Sequence, residues 1–152
     1  MYKAYKFRMY PNKTQQLLIH KTFGCYRFIY NYFLNKCKLN GYIKAFDMCC
    51  KLKELYIEYP WLKEVDSCSL RCAIFNLEDA YKNFFQKRSK YPMFKSKYSR
   101  QSYRTNCMRS EYKGKKFTFV YGYPPCTIDI VDFDKTIDDF GFQNVSLIQR
   151  LI

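Results

Sequence analysis

The sequence predicts a mainly α fold: a helical recognition bundle, helix-turn-helix-like, that follows one amino-terminal β-strand. Three observations carry that expectation. Apolar residues recur at intervals of three and four through most of the first 85 positions. Capping residues and breakers punctuate those stretches at helix-length spacing. Strict alternation of apolar and polar residues is confined to short pieces near residues 2–9 and 114–123. With 152 residues, 48% of them hydrophobic, the chain makes one domain, or one and part of a second, with a sizeable core.

From Tyr2 to Met9, Tyr5, Phe7 and Met9 alternate with Lys6 and Arg8, the period of a half-buried strand. Pro11 and Asn12 stop it, and Asn12 with Gln15 three residues on forms an N-cap signature for a helix to about Phe23. Gly24 reads as a break. A second helix follows over Cys25 to Leu39, its apolar face made of Tyr26, Ile29, Tyr30, Phe33 and Leu34, and Gly41 ends it. Two helices joined at a glycine suggest a helix-turn-helix, an arrangement that non-binding bundles share. Asp47 caps a third helix to about Glu58, where Tyr59-Pro60 ends it, because a residue before proline avoids the helical region. Trp61, the only tryptophan, and Leu62 are expected to pin this corner into the core. Asp66 caps a fourth helix with an apolar stripe of Leu70, Ala73, Ile74, Leu77, Tyr81 and Phe84. Its other face offers Ser67, Arg71, Glu78 and Lys82; Arg71 is a candidate for reading a base or phosphate, or a solvated surface charge. YPMFKSK, with Pro92, reads as loop or extended chain, and GKKFTFVYGY as a strand that Gly122 and Pro124-Pro125 interrupt.

Charge is distributed unevenly. Residues 1–116 carry 25 basic and 8 acidic groups, a net +17, whereas residues 117–152 carry 2 and 5, a net −3. From Lys82 to Lys116 there are twelve Lys or Arg against one acid, Glu111, with Phe84, Phe85, Tyr91, Phe94, Tyr98, Tyr103 and Tyr112 threaded among them. Cations release condensed counterions when they neutralise phosphates, and rings offer stacking surfaces to unpaired bases. The combination points to a nucleic-acid partner over an anionic membrane.

The amino terminus has no uninterrupted apolar region of an export signal, and no run approaches the ~18 apolar residues of a membrane span. A cytoplasmic protein with no membrane partner is expected. The eight cysteines include no C-x-x-C pair and His20 is the only histidine, so no metal site and no cofactor is expected. The thiols read as small, mostly buried side chains in a reducing compartment.

The order of segments KFRMYPNKTQQLLIHKTFGCYRFIYNYFL at 6–34, LKELYIEYPWLKEVDS at 52–67, NLEDAYKNFF at 76–85, and YPMFKSK and QSYRTN within 91–106 closely resembles the amino-terminal region of the OrfB/TnpB transposon-encoded proteins. That family is similar to the type V CRISPR nucleases. The resemblance spans about residues 1–117. It implies that residues 1–11 form the first strand of a wedge β-barrel and residues 12–90 a helical recognition module inserted into it, followed by a basic aromatic binding segment at 91–117. Family members bind a guide RNA and cut matching DNA beside a short flanking motif, so DNA and guide-like RNA are the implied partners. The family's contacts to the flanking motif carry over by position to Phe46, Cys50, Ser67 and Arg71, of which Phe46 and Cys50 are poor hydrogen-bond donors. Backbone contacts are expected from Lys82, Lys87, Arg88, Lys95, Lys97, Arg100 and Arg104, with Tyr103 stacking or hydrogen bonding.

The family's RuvC-like nuclease acids and its paired C-x-x-C zinc ribbon have no counterpart in this sequence, so no catalytic residue is assigned and no enzyme activity is expected of the chain itself. Residues 118–152 depart from the family and read as a divergent, degenerate acidic tail. Asp129, Asp132, Asp134, Asp138 and Asp139 invite comparison with a magnesium cluster, yet lack the family's context and read as solvated acids. The leading expectation is a truncated nucleic-acid-binding remnant of an RNA-guided nuclease. Two others stand beside it: a stand-alone helix-turn-helix regulator of a transposable element, and an inactive product whose unpaired edge strand aggregates.

Overall fold

The computed structural model describes residues 11, 13–106, 109–113, 116–121, 126–131 and 144–149, with side chains as far as Arg104. The helices are α1 Lys13–Asn40, α2 Ala45–Glu58 and α3 Ser67–Phe85, with a 3-10 turn at Pro60–Glu64 between the last two. Five strands follow: β1 Gln101–Asn106, β2 Arg109–Lys113, β3 Lys116–Tyr121, β4 Cys126–Val131 and β5 Asn144–Gln149. β2, β3 and β4 form an antiparallel meander, and β1 pairs antiparallel with β5 from Gln101↔Gln149 to Asn106↔Asn144. The expected strand at Tyr2–Met9 and the Asn12 cap lie outside the described residues.

A mainly helical module with three α-helices stands, but the expected break at Gly24 does not. α1 runs unbroken through it, and the turn that separates successive helices lies after Asn40, where Gly41 adopts φ +84°. The reason is packing. Thr22, Phe23, Cys25, Tyr26, Ile29, Tyr30, Phe33 and Leu34 keep one buried stripe across Gly24, and the burial of several such side chains outweighs the ~1 kcal/mol by which glycine disfavours a helix interior. A Cβ at Gly24 meets nothing within 4 Å. Gly24→Ala is therefore expected to stabilise the fold by about 0.5–1 kcal/mol, read as a higher urea midpoint at unchanged slope; a lower midpoint would show that the backbone there needs glycine.

α2 starts at Ala45 with Lys44 at the N-cap position, where no side chain caps it, and Asp47 sits in the first turn instead of at the cap. The orphan N–H of Ala45 donates instead to Glu78 Oε1 of α3 at 3.3 Å. α3 is capped as expected: Asp66 accepts from Cys68 N at 3.0 Å and Ser69 N at 3.2 Å, the local bonding that makes aspartate a helix start. The stop at Tyr59-Pro60 also holds, with proline opening the 3-10 turn.

The core gathers α1, α2 and α3, with Phe33, Leu34, Met48, Leu62, Leu70, Ile74 and Leu77 fully enclosed. Leu62, not Trp61, is the anchor of the corner. Trp61 remains 41% exposed because its ring lies edge-on to Phe28 at 5.0 Å, at the outside of the α1 seam. Tyr103 of β1 belongs to the core as well, 2% exposed and edge-on to Phe23 at 5.2 Å. Among the described cysteines Cys25 and Cys37 are buried, Cys49, Cys68 and Cys72 partly so, and Cys50 is exposed, so the expectation of mostly buried thiols holds only in part. The stretch expected as a tail from residue 118 contains most of β3 with β4 and β5, and β5 is the partner of β1.

Candidate nucleic-acid interface

The basic aromatic stretch between α3 and β1 is a strap bound along α1. Its first pin is Asn31, whose amide mimics a neighbouring peptide: Lys95 N donates to Asn31 Oδ1 at 2.8 Å and Asn31 Nδ2 donates to Lys95 O at 3.0 Å. The second is Gln101, 6% exposed. Its Oε1 accepts from Arg27 Nη1 at 3.0 Å, and its Nε2 lies 2.8–2.9 Å from the carbonyls of Ser96, Lys97 and Ser99. At the other end the hydroxyls of Tyr81 and Tyr91 meet at 2.8 Å. Asn31, one helical turn after Arg27 on α1, and Gln101, at the start of β1, thus hold the loop between them.

Pinning the backbone this way sends the basic side chains to the surface. Lys87, Arg88, Lys97, Arg100 and Arg104 are exposed, and none forms an ion pair with a described acid. Lys95 is intermediate: its ammonium sits 4.6 Å from the Tyr30 ring centroid, and burial holds its pKa below the ordinary lysine value. Arg27, Lys95 and Arg100 converge on one small notch lined also by Tyr26, Ser99 and Ser102. The positive charge of Arg104 acts on Tyr26 and Cys72. Burial pushes Tyr26 up to about 12, against a bond from Asn76 and the positive field of Arg104; burial pushes the Cys72 thiol to about 11, again offset in part by Arg104.

Lys82 departs from the expected set. Its ammonium is 2.8 Å from Glu78 and 3.9 Å from Asp79, so helical i,i+4 spacing gives it intramolecular partners, and its own pKa rises chiefly through Glu78. Tyr103 departs too, because the core encloses its ring and leaves no open face for a base. The other four expected residues form two pairs, Phe46 with Cys50 on α2 and Ser67 with Arg71 on α3, each one helical turn apart and all exposed. The positive charge of Arg71 acts on Cys49 and Tyr56 across the α2–α3 seam, offsetting part of the rise that burial imposes on both.

Sequence reasoning missed Arg27, Asn31 and Gln101. Asn31 left a trace, a lone amide within a run of aromatic and aliphatic residues on α1, whereas Gln101 left none. Among the described residues no group of three or more His, Cys, Asp or Glu is placed to hold a metal ion, and no helix is long and apolar enough to cross a membrane.

Comparison with known proteins agrees with the basic, helical reading. A helix-turn-helix domain model of the OrfB type matches residues 1–40. The chain is 35% identical over 129 residues to a Streptomyces pristinaespiralis protein named "Putative RNA-guided DNA endonuclease", covering 79% of this chain and 30% of the relative. It is 34% identical over 109 residues to the similarly named InsQ of Escherichia coli strain K12, covering 67% of this chain and 27% of that protein. It is also 30% identical over 117 residues to virulence protein VsdF of Salmonella dublin, 66% of this chain and 98% of that one. The chain thus spans under a third of the length of the two endonuclease-named relatives.

Proposed function

The chain belongs to the OrfB/TnpB family of transposon-encoded proteins, and from that premise we propose that it is a nucleic-acid-recognition region of an RNA-guided DNA endonuclease, acting as a binder and not as the cutting centre. The observation that carries this reading is the strap: a basic loop fixed to α1 by Asn31 and Gln101, with its exposed cations unpaired by described acids. Such a surface grips phosphates by shape and charge while base pairing within a guide–target duplex reads sequence. Lys87, Arg88, Lys97, Arg100 and Arg104 are the backbone contacts, joined by Arg27 and Lys95 at the notch. Ser67 and Arg71 are the side chains fitted to a flanking motif, since Phe46 and Cys50 offer little hydrogen bonding. The protein works in the cytoplasm on guide-like RNA and DNA.

Fluorescence anisotropy with a structured RNA hairpin and duplex DNA of arbitrary sequence tests the proposal. The hairpin is expected to bind more tightly, with a log K against log salt slope of about −4 for a handful of phosphate contacts. Preference for one particular duplex over RNA would support a helix-turn-helix regulator instead, and a flat salt response would remove the phosphate reading.

A further inference from the structure

The far end of the strap carries a second feature. At the carboxyl ends of α1 and α3, Tyr42, Phe84, Phe85 and Tyr91 form a connected row: Tyr42 to Phe85 5.6 Å, Phe85 to Phe84 5.6 Å, and Phe84 to Tyr91 5.2 Å between centroids. Phe94 extends it through Lys38, whose ammonium is 4.3 Å from the Phe94 ring and 5.8 Å from Tyr91. Phe85 is 59% exposed and Phe94 50%, and Leu39 and Met93 stand more open still. Such a patch of neighbouring apolar side chains marks an interaction surface, where scattered exposed rings would not.

The charges around it select the partner. Lys87, Arg88 and Lys90 follow directly on the helix end that carries Phe84 and Phe85, and Lys38 stands between the rings. The nearby carboxylate, Glu78, is taken up by Lys82, Tyr42 and the start of α2. The rings pack edge-on or tilted against one another, so the surface they offer is the outer, exposed side of Phe85 and Phe94. Bordered by cations that pair with no described acid, it suits a polynucleotide strand with its bases unpaired, because only an unpaired base has a face free to stack while its phosphates meet lysine and arginine. A duplex presents phosphates but keeps its base faces inside. We infer that this aromatic end wall binds a single-stranded stretch of nucleic acid by base stacking, beside the phosphate-gripping face at Arg27 to Arg104. The inference rests on the proposed nucleic-acid role and adds an unpaired segment to it.

The full chain is titrated with a labelled uridine oligonucleotide and, separately, with a duplex of equal length. For the double variant Phe85→Ala/Phe94→Ala, single-strand affinity is expected to fall about tenfold or more while duplex affinity holds within about twofold. Equal losses on both ligands, or none on the single strand, overturn the inference. Failure of the parent protein to bind any polynucleotide overturns the proposed function as well, whereas duplex binding with an unaffected single strand sinks only the stacking wall. A changed sedimentation coefficient with intact single-strand binding would assign the wall to a second copy of the chain, again overturning it. Should the alanine variant fail to fold, Phe94→Trp in a Trp61→Phe background gives a separate reading. Unlabelled oligonucleotide is expected to quench the new indole, and an unquenched indole in a complex that still forms counts against stacking.

Discussion

Reversing Lys97, Arg100 and Arg104 together to glutamate is expected to lower affinity for structured RNA by about 10³-fold, the loss of roughly 1.4 kcal/mol at each of the three sites. These side chains are exposed and bond no described acid, so their substitution should leave thermal unfolding almost unchanged, as surface changes away from packed features do. The salt slope should flatten by about one unit for each phosphate contact removed. Anisotropy titrations at several salt concentrations measure both quantities. An affinity within about tenfold of the parent would show that the strap is not the phosphate-binding face. Lys82→Glu serves as the contrast, because that ammonium already faces Glu78 and Asp79; its effect on RNA should be several times smaller than that of any strap cation.

Gln101→Leu is expected to cost about 2–3 kcal/mol of stability despite conserving volume. The amide is buried, accepts from Arg27 and faces three loop carbonyls with its two N–H donors. An apolar replacement takes this donor from the Lys97 and Ser99 carbonyls and the acceptor from one edge of the Arg27 guanidinium, while Ser96 O keeps its bonds from Ser99 N and Oγ. Losing such bonds at a buried amide costs about 1–3 kcal/mol. The damage should be local before it is global. Amide hydrogen exchange across Ser96–Arg100 should accelerate at denaturant concentrations where α1 and α3 remain protected. RNA affinity should drop with it, since Lys97 and Arg100 would lose their common frame. Unchanged exchange in the loop would show that Asn31 and the Tyr81–Tyr91 contact hold it unaided.

What the sequence revealed and what it hid follow from the range of the interactions. Asp66 caps α3 through bonds two and three residues away, and Pro60 ends α2 through its own ring, so both were legible from local chemistry. Gly24 misled because its local penalty is small beside the packing of Phe23, Tyr26 and Phe33 against elements far along the chain. Tyr103 was read by its basic neighbours, but strand alternation turns its side chain inward while Arg104 points out. The candidate cations were visible as composition. Their pins were not, because Asn31 and Gln101 act on residues whose proximity only the tertiary fold creates. Lys82 could have been set aside from sequence alone, given Glu78 four residues before it.

The two pins span 64 and 74 residues, from Asn31 to Lys95 and from Arg27 to Gln101. At a synthesis rate of about 5–20 residues per second, α1 waits several seconds on the ribosome before the segment that will cover it has been made. During that interval the helix can gather α2 and α3 by shorter-range contacts, and loop closure over the longer distances must follow. The nascent chain therefore acquires its helical body first and its phosphate-facing surface last, and RNA that meets it too early finds lysines without a geometry.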